Sequence, residues 1–257
     1  MRTLFTTLRN TSHFLPLVPF IDACRRRGHE VAVAAPMDFA ERVAATGAAF
    51  FPFGHPGEEG LRPLWMRLKE ASEEGRVRIS IGEIFAGVCA GAALPSLIET
   101  LERWRPSIVV RESQEYAAVV AAEKVGIPHI RVAISAPSGE ADMYPHAAAP
   151  VDAHGRELGL APDPSGRRIL DEAALTLFPS CLEAPEFAQT NVFRFRAVRG
   201  DAPPLPDWWG TRQGPFVYAT LGTVVGGFDV MRPAYRTVLD DVADLPIRVL
   251  LTVGARF

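Results

Sequence analysis

Residues 3–36 read TLFTTLRNTSHFLPLVPFIDACRRRGHEVAVAAP, and they decide the class of fold. Residues 3–8 form a short apolar run that predicts a buried strand, followed by a polar loop over residues 9–12. Leu17, Phe20, Ile21 and Cys24 then recur at helical spacing. Arg25, Arg26 and Arg27 fill the last turn, and Gly28 supplies the stop. Cations at that end oppose the negative pole of the helix. Residues 31–35 predict a second strand. Asp38 is placed to cap a helix running to Gly47, and residues 48–52 predict a third strand. Strands alternating with helices over short connections indicate a parallel sheet with helices packed on its faces. The predicted class is α/β, with a Rossmann-like parallel sheet.

Outward from this block the pattern continues. Residues 54–60 read as a loop, and residues 61–104 as mostly helical with breaks near Gly75 and Pro95. Residues 107–110 predict a strand, residues 116–125 a helix ending at Gly126, and residues 129–133 another strand. Residues 135–150 look like a long irregular stretch, the kind of loop that is often functional. Short strands are predicted at 174–178 and 192–198. Residues 201–214 hold three prolines, two glycines and the pair Trp208 and Trp209, and read as a linker docked by its tryptophans. A new strand at 216–221, a loop at 222–227, a helix at 233–243 and a strand at 247–253 follow. The expected organisation is a domain over 1–200, a linker over 201–215, and an incomplete second Rossmann-like domain over 216–257.

Composition narrows the function. Hydrophobic residues make up 48% of the 257, enough for a core, and the formal charge of −3 gives no basic face, which argues against a nucleic-acid partner. The three cysteines, Cys24, Cys89 and Cys181, are far apart. With no CxxC or Cys/His cluster, neither a metal site nor a disulfide framework is expected, and reduced thiols suit a cytoplasmic protein. Arg9, Asn10 and His13 interrupt the first apolar stretch too early for a signal peptide. No run is expected to reach the ~20 apolar residues of a membrane span.

Three blocks carry a family resemblance: residues 6–36, TTLRNTSHFLPLVPFIDACRRRGHEVAVAAP; residues 105–132, RPSIVVRESQEYAAVVAAEKVGIPHIRV; and residues 205–227, LPDWWGTRQGPFVYATLGTVVGG. Together they resemble the family-1 glycosyltransferases of the GT-B fold, of the bacterial natural-product type. The resemblance implies an acceptor-binding first domain, a nucleotide-sugar-binding second domain, and an inverting, metal-free transfer to an acceptor hydroxyl. It implies no cofactor, a UDP- or dTDP-linked sugar as co-substrate, and a hydrophobic small molecule as acceptor. The sequence departs from the family in two places. Ser12 stands where glycine is usual. The donor-binding signature, His-Gly-Gly followed by Asp-Gln, occurs nowhere in the chain. The second domain is therefore expected to be truncated, with a possible apolar strand edge that invites self-association.

His13 lies where a strand hands over to a helix, the sheet edge at which α/β proteins bind ligands. Neutral imidazole suits proton abstraction near pH 7, and a helix N-terminus beside it would keep it neutral. From position alone a loop histidine bonded to backbone is the commoner reading. The resemblance makes it the general base. Glu112, after the next strand, is the expected carboxylate partner and Glu115 its competitor. Both also read as helix-start acids. Gly222 and Thr223 follow the first strand of the second domain and are donor-site candidates, or an ordinary turn. Phe53, Trp65, Phe85 and Tyr144, with Phe51 and Met66, are candidates for an apolar acceptor pocket, or core residues. Two classes of function stay open: a glycosyltransferase or part of one, and a non-catalytic acceptor-binding module that needs another chain for the donor. The absence of GxGxxG weighs against a dinucleotide oxidoreductase.

Overall fold

The first strand of the chain is the middle of the sheet. The computed structural model describes residues 1–185, 187, 191–197, 204, 214–222 and 232–253. β1 (Arg2–Thr6) pairs in parallel with β2 (Glu30–Pro36) on one side and with β4 (Ile108–Glu112) on the other. β3 (Ala49–Phe53) lies outside β2. β5 (His129–Val132), β6 (Ala174–Thr176) and β7 (Val192–Arg194) extend the far side. The order is β3-β2-β1-β4-β5-β6-β7, and every pairing is parallel. This is the doubly wound arrangement, whose strand order reverses between β1 and β4.

Alternation along β1 shows why the sheet is covered on both faces. Leu4 joins Ala32, Ala34 and Val109 in one core, while its neighbour Phe5 joins Val31, Val33 and Val110 in the other. The Phe5 face is covered by α1 (Thr11–Phe14), α2 (Val18–Arg26) and α3 (Ala40–Ala44) through Phe14, Ile21 and Val43. The Leu4 face is covered by α6 (Ala90–Trp104), α7 (Ala117–Val125) and α9 (Tyr144–Glu157), the last following the short α8 (Pro137–Ala141). Gly126, at φ +78°, ends α7 in a conformation that favours glycine. A short α10 (Arg167–Leu170) precedes β6.

Several expectations are corrected. The segment 135–150 is not irregular: Pro137, at the first helical position, opens α8, and most of the rest is α9. The helical stretch after β3 starts earlier than expected, as α4 (Gly57–Glu70). It breaks at Ala71 and Ser72 rather than at Gly75, because Ser72 caps α5 (Glu73–Val77) by accepting from Gly75 N. Pro95 breaks nothing and lies inside α6. Between α5 and α6 the chain forms a wide π-helix, Arg78–Cys89. Asp38 does not cap α3, whose N-terminus has no side-chain cap, and forms an ion pair with Arg9 instead. Finally, a run apolar enough to span a membrane does exist, because Glu73–Trp104 is a continuous helical stretch with a window of mean hydropathy 1.7. Half of that window is buried, against the sheet and α9.

The chain divides into two compact units, Met1–Val198 and Arg199–Phe257. In the second unit, taken by itself, β8 (Phe216–Thr220) and β9 (Arg248–Thr252) pair in parallel, with α11 (Arg232–Val242) between them in sequence. Trp208, Trp209 and Thr223 lie outside the described residues.

Candidate active site

The strand order reverses between β1 and β4, and at such a reversal open α/β sheets bind ligands outside the carboxyl ends of the strands. His13 follows β1 and Glu112 is the last residue of β4, so the two come from opposite sides of the switch point. The local turn that presents His13 is built by Asn10. Its Oδ1 accepts from Ser12 N at 3.1 Å and from Ser12 Oγ at 2.9 Å, and its carbonyl accepts from His13 N at 3.1 Å. Ser12 thus contributes a hydroxyl bond where the family commonly has glycine.

His13 Nδ1 is 2.9 Å from Glu112 Oε1, and both side chains are buried. A carboxylate only accepts, so Nδ1 carries a hydrogen toward Glu112, and Nε2 has a free lone pair whenever the ring is neutral. Backbone N–H groups fix the carboxylate: Gln114 N donates to Oε2 at 2.7 Å and Leu8 N donates to Oε1 at 3.4 Å. Phe85, from the π-helix, meets the His13 ring edge to face, with centroids 5.8 Å apart. Burial lowers the His13 pKa, but the charge and hydrogen bond of Glu112, with a further contribution from Glu140, outweigh it and raise the pKa above its ordinary value. The expectation that a helix N-terminus keeps the imidazole neutral is therefore corrected. The adjoining helical turn, Thr11–Phe14, has only four residues, and the carboxylate is in direct contact.

Glu115 is placed differently. Its Oε1 accepts from Ala117 N at 2.9 Å and Ala118 N at 3.3 Å, and its Oε2 accepts from Thr6 Oγ1 at 2.5 Å. It therefore caps α7, and of the two acids only Glu112 is hydrogen-bonded to His13. Burial and the nearby Glu112 charge push its carboxyl up to about 7, against the opposing Thr6 bond.

The aromatic candidates scatter. Phe85 lies against His13. Phe53 and Tyr144 are buried in the core on the Leu4 face, and Tyr144 sits on α9 rather than on a loop. Phe51 packs against Trp104. Trp65 and Met66 are exposed on α4. Gly222 lies in the second unit with φ +76°, its N–H donating to Thr220 Oγ1 at 3.1 Å. Among the described residues no group of three or more His, Cys, Asp or Glu is arranged to hold a metal ion.

Sequence reasoning missed two groups. Glu140, on α8, accepts at Oε1 from Ser113 Oγ (2.7 Å), Ile134 N (2.8 Å) and Ser135 N (3.0 Å), and at Oε2 from Tyr144 OH (3.0 Å). A helix start at Pro137 was the signal that would have placed it. The second is a buried pair of neighbours, Arg111 and Arg131, adjacent in the β4–β5 register. Arg111 pairs with Glu172 at 2.6 Å and lies over the Tyr116 ring, and Arg131 lies over the Tyr144 ring. His129 also contacts Glu172, at 2.6 Å, and with Arg111 holds that carboxyl below its ordinary pKa against the effect of burial.

Comparison with known proteins bears on this arrangement. Residues 22–141, just under half the chain, match the N-terminal domain of erythromycin biosynthesis protein CIII-like proteins. L-demethylnoviosyl transferase of Streptomyces niveus is 28% identical over 98% of this chain. The glycosyltransferase SnogD from Streptomyces nogalater superposes over 99% of the chain with a TM-score of 0.69 and 25% identity. The chain is similar to the GT-B natural-product glycosyltransferases. SsfS6 of Streptomyces sp. SF2575, solved with thymidine diphosphate, shares the GT-B fold at 22% identity, with a TM-score of 0.70 over 99% of the chain. The chain spans 65% of the length of the Streptomyces niveus enzyme, 66% of SnogD and 68% of SsfS6. In this chain the His13–Glu112 pair lies at the carboxyl edge of the sheet of the first unit, at the β1–β4 reversal.

Proposed function

We propose that this chain contributes the acceptor half of an enzyme that moves a hexose from a nucleotide-sugar to a hydroxyl of a hydrophobic small molecule. The observation that supports it is the buried His13–Glu112 pair at the strand-order reversal. In this reading His13 Nε2 takes the proton from the acceptor hydroxyl as its oxygen attacks the anomeric carbon. The bond from that carbon to the diphosphate oxygen breaks on the opposite face, so configuration inverts and the nucleoside diphosphate leaves. Glu112 holds Nδ1–H in place and stabilises the imidazolium that forms, without taking the proton itself. Phe85 and Trp65 are the acceptor contacts to examine first, and Gly222 and Thr223 remain the proposed donor-side residues. SsfS6 and VinC were solved with thymidine diphosphate nucleotides, so dTDP-sugars are the donors to try first, with UDP-sugars second.

The test is turnover with dTDP- and UDP-hexoses and apolar alcohols or phenols, using a protein whose donor half is complete, wild type against His13→Ala. Loss of about 10²–10⁴-fold in kcat with acceptor affinity retained is expected. Near-normal turnover in the variant would falsify the base assignment.

A further inference from the structure

Glu140 is a buried carboxylate with no role in the proton transfer just described. It is tied to two strand ends. Ser113, whose hydroxyl it accepts, directly follows Glu112. Ile134 and Ser135, whose N–H groups it accepts, follow β5. Ser113 N donates in turn to Val132 O at 3.0 Å, so the ends of β4 and β5 are joined twice. The turn after Glu112 also supplies Gln114 N, the donor to Glu112 Oε2. Glu140 therefore buttresses the backbone that aims Glu112 at His13, and it brings a second acidic group to the same sheet edge.

We propose that Glu140 is a positioning residue for His13: behind Glu112, its carboxylate adds negative charge that favours the proton-bearing form of the imidazole. This rests on the reading of His13 as the base, although the coupling itself is a property of this chain alone. The electrostatics agree in direction, since Glu140 adds to Glu112 in raising the His13 pKa. Burial raises the pKa of Glu140 itself, against the hydrogen bonds of Ser113, Ser135 and Ile134 and against the charge of Arg131, a buried cation with no carboxylate partner among the described residues. Arg111 is neutralised by Glu172, Glu115 is engaged with Thr6 and α7, and Arg131 is held over Tyr144 with Nη1 on the carbonyls of Ile169 and Glu172. Tyr144 donates to Glu140, Tyr116 lies under Arg111, and burial pushes the Cys89 thiol up to about 12. Phe85, the π-helix residue touching His13, carries no charge.

The bonding of Glu140 makes a clean substitution available. One oxygen takes four donors, from the Ser113 hydroxyl, Ile134 N and both the N–H and the hydroxyl of Ser135, and the other meets the Tyr144 hydroxyl. Glu140→Gln keeps the first oxygen as a carbonyl. Its NH₂ faces Tyr144, whose hydroxyl turns from donating to accepting. The geometry survives and the charge is removed. The experiment is an NMR titration of the histidine rings in the 257-residue chain, with the His13 signal assigned by His13→Ala. In Glu140→Gln the His13 midpoint is expected to fall by roughly half a pH unit. An unchanged or raised midpoint overturns the proposal. Should the variant fold poorly, the wild-type chain carries the test. The Glu140 side-chain carbonyl signal should shift across the His13 titration, and a flat trace there overturns the proposal equally. Neither readout depends on sugar transfer, so a failed base assignment and a failed coupling give different results.

Discussion

At the residue scale, the placement of the His13 proton decides how the site behaves with pH. The folded-state pKa of His13 is raised, so its charge stabilises the fold fully below about pH 6.5, the ordinary histidine value. That stabilisation is lost as pH climbs through the higher folded value. The base activity proposed for His13 runs the opposite way, appearing as the proton leaves. Glu112→Gln removes the charge that opposes burial, so the acidic limb of kcat/KM should move to lower pH while kcat falls. A limb that stays in place while kcat falls would assign Glu112 a purely structural part. Position put both members of the pair at the carboxyl edge of the sheet, but only the family blocks around them singled them out, because a loop histidine and a helix-start acid occupy the same kind of place. Glu140 was not legible: its environment is made by Ser113, Ile134, Ser135 and Tyr144, and Ser113 lies 27 positions away. Arg111 and Arg131 were hidden for a similar reason. A charge inside a strand reads as an exposed face until its partner, here Glu172, 61 positions from Arg111, is known.

At the element scale, the π-helix Arg78–Cys89 lies against α9 at glycine positions. A methyl group added at Gly82 would meet His146 O at 2.8 Å, and His154 Nε2 reaches Gly87 O at 3.1 Å. Gly82→Ala must therefore push α9 away or distort the π-helix, and a loss of about 1–3 kcal/mol is expected in thermal or denaturant unfolding. Gly139, on α8, has nothing within 4 Å of an added Cβ, so Gly139→Ala should be neutral or slightly stabilising. Equal effects from the two would mean that the close approach of α9 is not a constraint. The elements that were legible had caps and periods of their own, such as α2 and α7. The break near Pro95 was misplaced because α6 is packed through Ala93, Leu94 and Leu97 and continues past the proline, and the break near Gly75 because the Ser72 cap sets the boundary earlier. The wide turns between them have no sequence period distinct from an α-helix.

At the scale of the whole molecule, the first unit has a sheet covered on both faces, while β8 and β9 of the second pair only with each other among the described residues. Val217 and Tyr218 on β8 are 40% and 56% exposed. A two-stranded parallel sheet is a weak independent unit and invites pairing with another chain. Sedimentation of the purified chain should show mass rising with concentration, and Val217→Lys should reduce it. A monodisperse monomer at every concentration would count against an adhesive second unit. The central place of β1 has a separate consequence, during synthesis. Leu4 lies beside Val109, more than a hundred positions later. At about 5–20 residues per second, the ribosome has added Leu4 roughly 5–20 s before its neighbour exists. Through that interval the nascent chain exposes the innermost strand edge of its own core, so the topology that sets the β1–β4 switch point also leaves the newborn chain open to mispairing until β4 is made.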